Sequence, residues 1–473
     1  MAAGDPSSLA RWPLILHQLS MMIAKSVVLV AVAGLMSLSS LPPSLAAGAF
    51  PGKDTTQPSA ADAVNPSIYL PPFYRATDRL DPNGKPLGTV LASEPVSSQV
   101  PGSKAWRLAY VSSDPAGRRH VVTGFIVVPD GPAPAGGRKL LAWAHGTTGT
   151  ARRCGPSQYQ QPAQPLNQYL LPTGTTWSDV GLPAMEPLLK QGYVIVATDY
   201  QGLGGPGDHQ YPQNASNGMD VINALRAARD FKPAAAGERA VVYGWSQGGG
   251  ATIGAAGLTD YVQKADAGAP LNLLGFVAMA PSDAGTEMPA VKTEAEAVKA
   301  IQALTKQLSS SIFNFTHLAM FYWGAVAANP ALNLNDVFTE SAAAQINSIM
   351  RRKCMHELSA SMNYWYADTY PSLLRSTPTN ALAWVNTIKD LGPGLKPMAP
   401  VVIYYGNHDT VVPPVMHKAY YEAACKQGAV MSRIELPGNN THFSTPASSQ
   451  PYWMPWIADR FAGKPVVNGC PSA

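Results

Sequence analysis

The hydrophobic pattern of the chain changes character at about residue 140. Before it lie three strand-length segments, Gly88–Glu94, Ala105–Ser112 and His120–Val128. Apolar and polar positions alternate in the second, and Asp114-Pro115-Ala116-Gly117 supplies a turn ahead of the third. Alternation with tight turns predicts antiparallel strands at the entrance of a larger sheet. Further on, the strand candidates become continuous apolar runs: Leu140–Ala144, Tyr193–Thr198, Ala240–Tyr243, Leu273–Ala280 and Val401–Tyr405. Helix-compatible sequence such as Met219–Phe231 separates them, and a short strand, Ser432–Leu436, precedes a terminal helix. Continuous apolar strands alternating with helices predict a mostly parallel central sheet covered on both faces, an α/β fold. Ligands of such sheets bind at the carboxyl ends of the strands, so the loops there hold the functional candidates.

Between 283 and 396 the strand rhythm stops. The segment reads mostly helical, over Thr293–Ser310 and Ser341–Ser359, and is rich in apolar and aromatic residues such as Phe313, Phe315, Phe321, Trp323, Tyr364 and Trp365. Most of these are expected to form a core of the segment's own. Because it leaves the sheet after one strand and returns at the next, it is read as a helical cap inserted over the carboxyl edge. The domain plan is then a leader at 1–49, an extended Pro/Ala/Asp/Ser-rich lead-in at 50–85, an α/β core made of 86–282 and 397–473, and a cap at 283–396.

Val241-Val242-Tyr243-Gly244-Trp245-Ser246-Gln247-Gly248-Gly249-Gly250 carries the chemistry. An apolar strand runs into Gly-x-Ser-x-Gly, and small residues that start a helix follow, the pattern of a nucleophile elbow. Ser246 must sit on a strained turn to present its hydroxyl, and glycines on either side remove the Cβ atoms that would collide there. A serine hydroxyl is a weak nucleophile and needs a base oriented by an acid. His442, after the last short strand, is the expected base, and Asp409, in the loop after Val401–Tyr405, the expected acid. Asp283 is the backup acid, and an Asx-turn or N-cap aspartate is the competing reading of Asp409. His120, His317, His356, His408 and His417 are less well placed as bases. The oxyanion needs preorganised N–H donors, expected from the backbone of Gln247 and, in the His145-Gly146-Thr147-Thr148-Gly149 loop, from Thr147. His145 is read as tying that loop down. The reaction so written uses no metal and no organic cofactor.

Composition narrows the setting. Net charge is only +4 and no Lys/Arg run stands out, which argues against a nucleic-acid partner. Charged residues make up 14% of the chain, leaving a sparsely charged surface. Lys25 precedes an apolar stretch, Val27–Met36, and small residues follow at Ala46-Ala47-Gly48-Ala49. This predicts a signal peptide cleaved after Ala49 or Ala47, with Met21 or Met22 as an alternative start, and a secreted or periplasmic protein. The apolar stretch is too short to span a bilayer. Cys154, Cys354, Cys425 and Cys470 lack metal-site spacing, and their number allows three disulfide pairings.

His145-Gly146-Thr147, Asp199-Tyr200-Gln201-Gly202-Leu203-Gly204, Gly244-Trp245-Ser246-Gln247-Gly248-Gly249, Gly406-Asn407-His408-Asp409 and Asn440-Thr441-His442 together resemble the secretory lipase family of α/β-hydrolases, the group built on the yeast lipase A pattern with bacterial relatives. The resemblance runs from about Phe73 to Gly469. Trp245 departs from it, standing where Tyr is more usual. It implies an α/β-hydrolase fold, a lipase or esterase acting on a small-molecule or lipid ester, and a helical cap in transient contact with a lipid interface. It also implies the pairs Cys154–Cys354 and Cys425–Cys470. The rival readings are a serine peptidase or amidase on the same fold and a catalytically silent binding module.

Overall fold

The computed structural model describes residues 70–263 and 271–471. The expected leader and the lead-in up to residue 69 lie outside these residues. The described end of the lead-in is not wholly extended: Pro72–Ala76 forms a short helix, α1, and the buried Tyr74 hydroxyl meets Ser157 Oγ at 2.7 Å.

Nine strands form one sheet among the described residues. They are β1 Val90–Val96, β2 Ser103–Ser113, β3 Arg119–Pro129, β4 Arg138–Ala144, β5 Val194–Thr198, β6 Ala236–Trp245, β7 Asn272–Met279, β8 Val401–Tyr405 and β9 Met431–Glu435, in the order β1-β2-β3-β5-β4-β6-β7-β8-β9. The pairs β1–β2, β2–β3 and β3–β5 are antiparallel. From β5 through β4, β6, β7, β8 and β9 every pair is parallel. The change of pattern near residue 140 is thus the passage from an antiparallel entrance to a parallel core.

Parallel strands need crossover connections, and helices supply them. α2 Met185–Lys190 lies between β4 and β5, and α3 Asn214–Asp230 between β5 and β6. α4 Gln247–Ala256 and α5 Thr259–Gln263 follow β6, α11 Pro414–Lys426 joins β8 to β9, and α12 Thr445–Phe461 follows β9. Strand side chains alternate between two buried layers. Leu140, Ala142 and Ala144 of β4 pack with α3, α4 and α11, whereas Leu141 and Trp143 pack with α2 and α12. Both faces are covered, so the strands are apolar throughout; each fully buried large apolar side chain contributes roughly 1.5–3 kcal/mol. This is the α/β-hydrolase architecture.

Between β7 and β8 come α6 Glu294–Leu308, α7 Ile312–Ala328, α8 Glu340–Met350, α9 Met355–Tyr366 and α10 Ala381–Asp390. A capping box starts α6, Thr293 Oγ1 accepting from Glu296 N–H while the Glu296 carboxylate accepts from Thr293 N–H. The insertion has its own core, in which Phe315, Met320, Tyr322 and Trp323 of α7 meet Ile346, Met362 and Trp384. Tyr364 and Trp365 are exceptions, 84% and 73% exposed. The helix expected over 341–359 is two helices. It breaks at 351–354 because Cys354 pairs with Gly149 in an isolated bridge and Met355 N–H donates to Thr148 O at 2.9 Å.

Both disulfides implied by the family resemblance are formed, Cys154–Cys354 and Cys425–Cys470. The first closes a loop with a sequence separation of 200 and fastens the segment after β4 to the start of α9. Replacing Cys154 and Cys354 together by Ser should lower the unfolding free energy by about 2–4 kcal/mol, measured by denaturant titration. An unchanged unfolding midpoint would mean that packing and backbone bonds alone hold the insertion to the core.

Candidate active site

β6 ends at Trp245, and Gln247 is already the first residue of α4. The reversal between them falls on Ser246, with φ 60° and ψ −119°. Glycines make this packing possible: a Cβ on Gly244 would lie 2.3 Å from Gly248 O, and one on Gly248 would lie 1.9 Å from Ala144 O. Ser246 N–H is held by Met279 O at 2.9 Å and its carbonyl accepts from Ser282 N–H at 3.2 Å. Its side chain is therefore fixed at the carboxyl end of the sheet, beside the N-terminus of α4.

The structure brings Ser246, His442 and Asp409 into one line. His442 Nε2 lies 2.8 Å from Ser246 Oγ, and His442 Nδ1 lies 2.7 Å from Asp409 Oδ2. The other carboxylate oxygen, Asp409 Oδ1, accepts from Val411 N–H at 2.9 Å and Val412 N–H at 2.8 Å. Asp409 is thus both the turn-capping aspartate and the histidine's partner. Asp409 uses those two N–H groups to close its turn, and the next helix starts only at Pro414. All three residues are buried, at 7%, 3% and 5% exposure for Ser246, His442 and Asp409. Trp245 contributes as well: its indole N–H donates to His442 O at 3.1 Å, and the two rings lie 5.0 Å apart.

The competing residues are elsewhere occupied. Asp283 Oδ1 accepts from Gly285 and Thr286 N–H and closes the turn after β7. His408 is exposed and meets Asn407 Oδ1, while His120 meets Asp220 at 3.2 Å. His417 is buried with its Nδ1 accepting from Arg433 Nε–H, and His356 is exposed. His317 comes nearest, in the wall of the cleft with its Nδ1 3.0 Å from Phe313 O.

As the first residue of α4, Gln247 has a backbone N–H with no acceptor inside its helix. Thr147 shares a cleft with Ser246 and His442. The loop carrying it is anchored by His145, whose Nδ1–H donates to Gly146 O at 2.6 Å, and by Tyr200, whose hydroxyl donates to His145 O at 3.0 Å. Burial lowers the His145 pKa to about 4, so the ring is neutral. Asp199, from the Asp-Tyr-Gln-Gly-Leu-Gly stretch, accepts from Ser157 N–H and Thr123 Oγ1 and secures the loops from below. Sequence reasoning passed over His209 and Asn217, buried behind the elbow and bonded to Gln247, and Tyr211, which is bonded to Thr147 and lines the cavity at Ser246. A second cavity, of about 100 Å³, opens at Ser246 between Leu318 and Phe321 of α7 and Val411, Val412 and Met416.

A mostly parallel sheet with a serine elbow at its carboxyl edge defines the α/β-hydrolases, and comparison with known proteins narrows the class. The secretory lipase profile matches residues 168–469. Lipase 10 of Candida albicans is 23% identical over 407 residues, covering 85% of this chain and 82% of its own. Secreted triacylglycerol lipase LIP3 of Malassezia globosa is 23% identical, covering 84% and 83%. Among solved structures, Candida antarctica lipase A in its closed state aligns with a TM-score of 0.61 at 17% identity, over 86% of this chain and 90% of that one. The rice cell wall degrading esterase LipA of Xanthomonas oryzae aligns at 0.58 and 18%, over 80% and 99%. The chain belongs to the secretory lipase family and is a carboxylic ester hydrolase.

Asp179 gives this site a testable electrostatic feature. It lines the cleft of Ser246 and His442, and its Oδ1 accepts from Tyr169 N–H at 3.0 Å. Burial pushes its carboxyl up to about 7. The folded protein therefore favours the protonated form, and stability falls as pH rises from the unfolded value near 4 through about 7. Asp179→Asn keeps the acceptor without the charge. Its stability relative to wild type should rise by roughly 2–3 kcal/mol between about pH 5 and 8, read from paired denaturation curves. A difference that does not change with pH would mean that the carboxyl ionises as easily folded as unfolded.

Proposed function

We propose that the chain is an exported serine hydrolase that cleaves lipid or small-molecule carboxylic esters through a Ser246–His442–Asp409 triad and an acyl-enzyme. The observation that carries this reading is the unbroken hydrogen-bonded line from Ser246 Oγ through His442 to Asp409. In it, His442 Nε2 takes the Ser246 proton as Oγ attacks the acyl carbon. Asp409 holds the Nδ1–H tautomer and stabilises the imidazolium. Its second oxygen is engaged by Val411 and Val412, which keeps the carboxylate from turning away. The backbone N–H groups of Gln247 and Thr147 receive the oxyanion. The alcohol leaves with the proton from His442, and water, activated by the same base, releases the acid.

In this reading the acyl group enters the cavity at Ser246, whose apolar wall comes from α7 and the start of α11. The insertion at 283–396 acts as the cap over that cavity, and residues 1–49 direct export. The names of the relatives cover both triacylglycerol lipase and esterase. The apolar wall favours a hydrocarbon acyl group and a lipid-surface encounter through the cap.

The test is hydrolysis of p-nitrophenyl esters from acetate to palmitate. Ser246→Ala should lower kcat by at least about 10⁴-fold on every ester that the wild type cleaves. A variant that retains a tenth of the activity would exclude Ser246 as the nucleophile.

A further inference from the structure

Behind the elbow lies a buried network that the triad does not use, centred on His209-Gln210-Tyr211 ahead of α3. His209 Nδ1–H donates to Gln201 O at 2.8 Å, which leaves Nε2 to accept from Gln247 Nε2–H at 2.9 Å. The same Gln247 amide donates to Asn217 Oδ1 on α3 at 3.0 Å. Burial holds the His209 pKa down to about 3, so the ring remains a neutral acceptor. Two residues on, the Tyr211 hydroxyl lies 3.0 Å from Thr147 Oγ1. Tyr200 stacks between, its ring 4.5 Å from that of His145 and 5.9 Å from that of His209.

Gln247 and Thr147 stand on different elements, the first turn of α4 after β6 and the loop after β4, yet the oxyanion needs both of their N–H groups at once. A donor is useful only about 2.7–3.1 Å from the developing charge, so the spacing of the two segments matters as much as either one. The stretch 209–211 is bonded to both. It is also seated from outside: a Cβ on Gly324 of α7 would lie 2.0 Å from Tyr211 O and 2.4 Å from Tyr211 N. The inserted helix therefore rests its main chain directly on that of Tyr211, an approach only glycine allows.

We infer that His209-Gln210-Tyr211 is a brace that sets the separation of the two oxyanion donors, with His209 and Tyr211 as positioning residues and α7 holding the brace in place through Gly324. This rests on the triad reading above. Tyr211 also lines the cavity at Ser246, so its ring is kept in the test below, and the hydroxyl it gives to the brace acts on the transition state rather than on substrate binding. Its loss therefore lowers kcat and kcat/KM together and leaves KM alone.

The test uses Tyr211→Phe, Thr147→Val and the double variant, assayed on p-nitrophenyl butyrate with active sites counted by end-point fluorophosphonate labelling. Each single variant should lower kcat per labelled serine by about 10-fold, short of the 10²–10³-fold that follows loss of a whole donor. The double variant should fall no further than either single one, because both remove the same bond. Thr147→Ser, which keeps the hydroxyl, should recover most of the kcat that Thr147→Val loses. Thr147→Val carries the same test should Tyr211→Phe fail to fold. Unchanged kcat per site, multiplicative losses, or an effect confined to KM would each overturn the brace, the last by making Tyr211 a substrate contact. Wild-type protein that takes up no label would overturn the triad reading and the brace with it; labelled variants with wild-type kcat overturn the brace alone.

Discussion

The backbone of Ser246 is the constraint on which the rest of the site depends. A φ of 60° with ψ of −119° is a conformation that costs a non-glycine residue about 1–3 kcal/mol, and it persists only where neighbours over-determine it. Here they do so from three directions. β7 holds the amide through Met279 O, the carbonyl accepts from Gly250 and Ser282 N–H, and Gly248 closes against the end of β4. The central strands β4, β6 and β7 thus meet at one residue. The parallel sheet is a frame rigid enough to keep one serine in a turn that it would otherwise leave.

Much of this was legible in the sequence because its signals are local. The switch from alternating to continuous apolar strands marks a switch in sheet type, and the elbow announces itself by glycine spacing. That His442 and Asp409 meet at Ser246 followed from their order along the chain and their place after strands. Asp409 shows the limit of choosing between readings: an Asx-turn and a triad acid looked like alternatives, yet one oxygen closes the turn while the other faces His442. Trp245, a departure from the family pattern, uses its indole N–H to hold the carbonyl of the proposed base.

What was not legible is defined by distant partners. The break between α8 and α9 has no proline or glycine to signal it. It arises because Cys354 and Met355 are claimed by Cys154 and Thr148, some two hundred residues earlier. His209 and Tyr211 sit in no motif of their own. Their partners, Gln247 at the start of α4 and Thr147 in the loop after β4, meet them only once the sheet has formed. The single nearby clue was the Asp199–Gly204 stretch, which belongs to the same buried support.

These long-range contacts fix how the insertion relates to the chemistry. The loop after β4 is gripped by the core through Tyr200 and His145. From the other side the insertion holds it through Met355 N–H on Thr148 O, the Thr150 hydroxyl on Met350 O at 2.7 Å, and the Cys154–Cys354 disulfide. A swing of the whole insertion away from the sheet would break those bonds and strain a covalent link beside the proposed oxyanion donor. The edge at the α8–α9 junction is therefore a fixed wall of the site. The insertion both lines the cavity at Ser246 and keeps the loop opposite it in register, so in the proposed mechanism the helices over the substrate also help to hold the catalytic geometry.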